Sequence, residues 1–227
     1  MGGLFITFEG IEGTGKTTQI GMLAEELRSA GRQVVSLREP GGTSLGNVIR
    51  GLLLGQEGPK FGDLTEAYLF ATSRAELVQR VVLPALAEDK VVLCDRFVDS
   101  SVVYQGMARG LGQQRVLAIN DAAVQGCWPD LTVVLDLPAE EGLSRVRSRS
   151  LFDRIENEDI GFHRKVREGF LELAKAQPRR YAVVDARPSR MQVHRDVVAE
   201  LRAAGWRLSR RETFLPYQYL LRLVPAG

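Results

Sequence analysis

At 227 residues the chain has the size of one α/β domain with room for an insertion, and its formal net charge of +2 is too small by itself to point to nucleic acid or membrane. Hydrophobic residues at 44% and charged residues at 26% are ordinary for a soluble globular protein. No apolar run reaches the ~18 residues that a membrane span needs, and the N-terminus goes straight into a strand without a signal peptide. Cys94 and Cys127 read as reduced structural thiols, so the expectation is a cytoplasmic protein.

The apolar run Leu4-Phe5-Ile6-Thr7-Phe8 predicts the first strand. It leads into Gly10-Ile11-Glu12-Gly13-Thr14-Gly15-Lys16-Thr17, a complete G-x-x-x-x-G-K-[ST] phosphate loop placed between a strand and a helix. Glycines let backbone N–H groups turn inward as an anion cradle, and the following helix adds its positive end. Lys16 can reach β and γ phosphates, and the Thr17 hydroxyl can ligate Mg²⁺.

After the helix carrying Ile20, Leu23 and Leu27, residues 33–37 form a second predicted strand that ends on Arg38-Glu39-Pro40-Gly41-Gly42. Ligands of open α/β sheets bind at strand carboxyl ends, so Arg38 and Glu39 are either site residues or solvated charges of a turn. A short helix is expected over 45–54, then a longer one capped by Asp63 and carrying Leu64 to Leu77. Phe70 and Arg74 share a face of it. The pair reads first as a core phenylalanine with a surface arginine, and second as a stacking ring beside a guanidinium that could bond a base carbonyl.

Residues 91–94 predict a third, buried strand that delivers Asp95 and Arg96. An acid there is the usual Mg²⁺-side partner of the loop threonine, and Arg96 can clamp a phosphate bidentately; a structural ion pair is the alternative. Ser101, Tyr104 and Gln105 then fall on one helical face as a hydroxyl, a phenol and an amide.

A helix over 116–124 precedes a fourth strand at 131–137, and Pro138 opens the next helix. That helix runs into Arg145, Arg147 and Arg149, with Arg154 shortly after. The cluster is a solvated face, a nucleic-acid patch or, in a phosphoryl-transfer enzyme, a mobile basic lid; the weak overall charge favours the lid. A helix over 158–175 follows, with His163 expected at a solvated position. Residues 181–185 form the fifth strand, and Ser189 caps a last helix that carries His194 among its polar positions. The tail from Trp206 to Gly227 is apolar without clear periodicity.

Strands alternating with helices behind a phosphate loop define a parallel sheet covered on both faces. Arg38 and Arg96 supply a second phosphate site facing the loop. No Asn-Lys-x-Asp guanine reader of a GTP switch occurs in the chain. Two phosphorylated substrates are therefore expected, with an acceptor oxygen already ionised at neutral pH. Catalysis is then alignment and charge neutralisation.

The stretch Phe8-Glu9-Gly10 with the loop to Thr18, Arg38-Glu39-Pro40-Gly41-Gly42-Thr43, Asp95-Arg96-Phe97 with Ser100, Tyr104-Gln105-Gly106 and Asp153-Arg154-Ile155-Glu156 resembles the thymidylate kinase family. The resemblance spans residues 4 to about 205, with its motifs in the family's order. It implies a three-layer α/β nucleoside monophosphate kinase fold with a five-stranded parallel sheet. The kinase domain is expected at 1–205 with a mobile basic lid at about 145–157, and 206–227 as an extension of open role. The implied reaction is ATP- and Mg²⁺-dependent phosphorylation of dTMP to dTDP by a homodimer, with no nucleic-acid or membrane partner.

Carried over by residue, the resemblance puts Phe70 on the thymine face, Arg74 on its O4, and Ser101 and Gln105 near the base edge. Tyr104 lies against the sugar, Glu12 near its 3′-hydroxyl, and Arg38 and Arg96 on the acceptor phosphate. Glu9 and Asp95 join Thr17 on the magnesium side, and Gly10 to Thr18 cradle ATP. Some relatives carry a catalytic arginine where this chain has Gly13. In those with glycine there the lid supplies the charge, which implies Arg149 foremost among Arg145, Arg147, Arg149 and Arg154.

Overall fold

The computed structural model describes residues 3–56, 61–147, 154–212 and 219–225, with side chains as far as Gly205. The elements in chain order are β1 (Leu4–Glu9), α1 (Lys16–Ser29), β2 (Val34–Arg38), α2 (Ser44–Leu54) and α3 (Asp63–Leu77). After α3 the helical path continues as a π-helical turn, Val78–Val82, into α4 (Leu83–Ala87). Then come β3 (Val91–Asp95), α5 (Val98–Ser101) with a second π-helical stretch at Val102–Ala108, α6 (Gln113–Val124) and β4 (Leu131–Asp136). The chain closes with α7 (Ala139–Arg147), α8 (Ile160–Ala176), β5 (Tyr181–Asp185), α9 (Arg190–Ala203) and the strands β6 (Trp206–Glu212) and β7 (Tyr219–Pro225).

Five strands form one all-parallel sheet in the order β2-β3-β1-β4-β5. The central strands are buried on both faces, as an apolar run such as Val91-Val92-Leu93-Cys94 requires. One face packs Phe8, Leu93 and Val133 against Leu23 and Leu27 of α1 and Val197 and Leu201 of α9. On the other, Phe5, Val92 and Phe97 meet Leu77 and Val82, while α8 brings Val166 and Phe170 against Val103 and Tyr104. This is the three-layer α/β fold expected.

The order places the carboxyl ends of β2, β3 and β1 side by side, with Arg38 opposite Asp95 and Asp95 opposite Phe8. Three separate sequence segments thus empty into one crevice where strand order reverses, the place where such sheets bind ligands.

Four sequence expectations change. Asp63 is the first residue of α3; the cap position is Gly62. The true side-chain caps are Thr43 for α2, Asp159 for α8 and, as expected, Ser189 for α9. In the tail, β6 and β7 pair antiparallel, from Trp206 opposite Pro225 to Glu212 opposite Tyr219, on backbone pairing that side-chain periodicity did not reveal. His163 is fully buried and not solvated, because α8 turns that face toward the loop crevice; His194 is nearly buried and meets Glu26 of α1.

Candidate active site

Gly10, Gly13 and Gly15 have φ of 130°, 75° and 91°, the left-handed region that lets the loop fold on itself. A Cβ on Gly10 would lie 2.5 Å from the Leu135 carbonyl oxygen, and one on Gly13 only 2.1 Å from that of Gly142 in α7. The loop is therefore wedged between β4 and α7 with no space for side chains at those positions. Thr14 closes it from inside, its hydroxyl donating to the Ile11 carbonyl at 3.0 Å.

The Lys16 ammonium lies over the loop, donating to the carbonyls of Ile11 at 2.8 Å and Gly10 at 3.1 Å. Burial, and next the nearby Arg96 cation, push its pKa down to about 8. Thr17 and Thr18 are exposed in the first turn of α1, and the Thr17 hydroxyl donates to Asp95 Oδ2 at 2.6 Å.

Arg96 has a φ of 71°, unusual for a side-chain-bearing residue, and this backbone turn sends its guanidinium across the crevice. It donates to the Gly10 carbonyl at 3.0 Å, the Ser100 hydroxyl at 3.3 Å and Glu12 Oε1 at 2.9 Å, and lies 5.1 Å from the Tyr104 ring centroid. Glu12 also accepts from the Tyr104 hydroxyl at 2.7 Å and pairs with His163 Nδ1 at 3.1 Å. Burial alone would raise the Glu12 pKa. The Arg96 cation, the His163 hydrogen bond, Lys16 and Tyr104 together hold it well below the usual carboxylate range.

One pocket joins these groups. The loop residues Glu12, Gly13, Lys16 and Thr17 line one side, with Arg38, Asp95 and Arg96 at the strand ends and Ser100 on α5. Phe70, Ser101, Tyr104 and Gln105 form the inner wall, and Leu54, Ile155 and Glu156 the far side. Arg38 is exposed and, among the described residues, has no hydrogen-bond or ionic partner, so its charge faces the pocket uncommitted.

Several expected site residues stand elsewhere. Arg74 is 1% exposed and behind the wall, since all five of its N–H donors are used: two on Glu39, the others on Ser101, Asn120 and the Phe97 carbonyl. It holds Ser101 in the wall and does not itself line the pocket. Glu9 is also buried, accepting from Phe97 N–H at 2.8 Å and the Ser100 hydroxyl at 2.6 Å. Burial, and next the Asp99 carboxylate, push its pKa up to about 7. Through these bonds it braces the β3–α5 turn. Arg145 donates to the Ala186 carbonyl at 3.1 Å, and Arg154 to the Leu53 carbonyl at 2.9 Å and to Glu66. Neither lines the pocket, and Arg147 is exposed at the end of α7. Arg149 and Asp153 lie outside the described residues.

Sequence reasoning missed Arg50, which lines the pocket beside Pro40, and Glu66, which at 1% exposure accepts from Gln105, Arg109 and Arg154. It also missed His163. No local pattern signals any of them; each becomes visible only when distant helices meet.

A five-stranded parallel sheet with a phosphate loop facing two strand-end arginines across one pocket defines a nucleoside monophosphate kinase. The model of the thymidylate kinase family matches residues 8–197. A thymidylate kinase of Thermoanaerobacter sp. (strain X514) is 48% identical over 198 residues, covering 87% of this chain and 97% of its own. One of Pelotomaculum thermopropionicum is 50% identical over 202 residues, covering 87% and 92%. The crystal structure of thymidylate kinase from Ehrlichia chaffeensis superposes with a TM-score of 0.74 at 33% identity, over 88% of this chain and all of that one. The chain belongs to the thymidylate kinase family and is a kinase.

Proposed function

We propose that the chain transfers the γ-phosphoryl group of ATP to the phosphate of dTMP, giving dTDP and ADP, as a cytoplasmic homodimer. The observation that carries this reading is the single pocket with a phosphate loop on one side and Arg38 and Arg96 on the other. Donor and acceptor phosphates held there would face each other for in-line transfer.

The loop from Gly10 to Thr18 cradles the ATP phosphates, and Lys16 exchanges its loop carbonyls for phosphate oxygens. Arg38 and Arg96 hold the acceptor phosphate, with Ser100 steadying Arg96. Phe70, half-buried on the pocket wall, stacks the thymine, and Ser101 and Gln105 meet its edge. Arg74 serves the base side through Ser101. Glu12 and Tyr104 sit between loop and acceptor sugar. Arg149 supplies the lid charge.

Thr17 and Asp95 fit a magnesium ion, as an adjoining hydroxyl and carboxylate of hard-oxygen character. Among the described residues no cluster of three or more His, Cys, Asp or Glu forms a protein cage, in keeping with an ion that takes most ligands from phosphates and water. Bound there, the ion would neutralise charge on the transferring phosphates.

The homodimer is supported by exposed apolar side chains on neighbouring helices: Leu45, Val48 and Leu52 of α2, Tyr68 of α3 and Leu117 of α6. Among the described residues no helix is long and apolar enough to cross a membrane, and Cys94 and Cys127 are free and buried, as a reducing compartment allows.

A coupled assay of ADP release across nucleoside monophosphates tests the reading. The expected result is a clear preference for dTMP. Equal turnover with CMP, AMP or GMP would assign the chain to a different acceptor.

A further inference from the structure

His163 lies on α8, downstream of the lid segment and 151 positions from Glu12 in sequence, yet its Nδ1 is 3.1 Å from Glu12 Oε2. The ring is fully buried, and edge-on to Phe162 at 5.6 Å between centroids. Its Nε2 is buried with no hydrogen-bond partner among the described residues. A buried polar atom left alone is uncommon and calls for a reason. Here it fixes the ring's chemistry: a proton on Nε2 would have no acceptor, whereas one on Nδ1 points at a carboxylate.

We infer that His163 is a positioning residue, its Nδ1–H locking the Glu12 carboxylate between Arg96 and Tyr104. Glu12 belongs to the phosphate loop, while Arg96 and Tyr104 belong to the acceptor wall. With Oε1 taken by those two donors, Oε2 is held by His163. The carboxylate therefore cannot rotate without breaking a bond on each side, and loop and acceptor wall keep one register. Because the third bond comes from α8, the helix that returns from the lid segment is tied to the same point. The inference rests on the dTMP kinase reading, since only a two-nucleotide site needs that register.

The test compares His163→Leu with His163→Asn. Both remove the ring, but the asparagine side-chain N–H can occupy the place of Nδ1–H. His163→Leu is expected to raise KM and Kd for dTMP roughly tenfold, the scale of a hydrogen bond to a charged group, with KM for ATP within about twofold. His163→Asn is expected to stay within about threefold of the parent. In a Glu12→Ala background, dTMP affinity measured by calorimetry should not change further on adding His163→Leu. Should His163→Leu not fold, His163→Met, equally unable to donate, carries the same comparison.

Equal losses in the leucine and asparagine proteins, or a full leucine effect in the Glu12→Ala background, would overturn the inference and leave His163 a packing residue. A parent protein that forms no dTDP from ATP and dTMP would instead sink the kinase reading itself.

Discussion

Gly13 of the phosphate loop and Gly142 of α7 stack backbone against backbone: a Cβ on Gly13 would lie 2.1 Å from the Gly142 carbonyl oxygen, and one on Gly142 would lie 2.4 Å from that of Glu12. The resemblance to thymidylate kinases implies that some relatives carry a catalytic arginine where this chain has Gly13. The structure adds a packing reason for the glycine, because α7 uses that space. A loop without a side chain at position 13 and the close approach of α7 are one arrangement.

Gly142→Ala separates packing from propensity. Alanine in a helix interior gains about 1 kcal/mol over glycine. Overpacking against rigid backbone costs about 1–3 kcal/mol, and here the obstruction includes a carbonyl and Ile11 Cδ1 at 2.8 Å. The packing loss is expected to win, lowering the melting temperature and kcat together. A rise in melting temperature would show that α7 can move off the loop freely.

The lid arginines are expected to divide by role. Arg149→Ala should lower kcat by about 10³-fold while leaving the melting temperature within a degree or two of the parent, as for other charge-stabilising arginines. Arg154→Ala should instead lower the melting temperature, since Arg154 ties Glu66 to the Leu53 carbonyl. Thermal melts beside single-turnover rates check both. A kcat loss under about tenfold for Arg149→Ala would move the catalytic role to another arginine.

Arg96→Ala is expected to weaken dTMP binding by on the order of 10²-fold, because one guanidinium joins Gly10, Ser100 and Glu12. Arg96→Lys should recover little, as an ammonium cannot span the same fork. Calorimetric titration with dTMP gives the answer, and an unchanged Kd in Arg96→Ala would remove the clamp assignment.

Glu9→Gln is expected to change how stability varies with pH. Burial raises the Glu9 pKa from 4.5 to about 7 in the folded chain, so the folded state holds the proton more tightly than the unfolded one. Stability from this group is fully present below about pH 4.5 and is lost as pH rises toward 7, by up to about 3 kcal/mol. Glutamine does not ionise. Relative to the parent, the variant should gain stability between pH 5 and pH 8 in denaturant titrations, and a constant difference over that range would contradict the shifted pKa.

The sequence alone determined what is encoded in short windows. The phosphate loop, five apolar runs with punctuating glycines and prolines, and the strand-end residues Arg38, Asp95 and Arg96 define a parallel sheet, the donor loop and the strand-end charges that face it. These are local signals, because a strand's burial, a helix cap and an anion-binding turn each depend on residues a few positions apart. Tertiary structure decided which charged groups are available. Arg74, Arg154 and Glu9 read as site residues, yet each is spent on partners 35, 88 and 91 positions away. His163 read as solvated, yet the packing of α8 carries it to Glu12. A guanidinium or carboxylate is the same in sequence whether it faces a ligand or a buried counter-ion. Only the meeting of distant helices settles that, since desolvation demands that each buried charge find its partner in the protein.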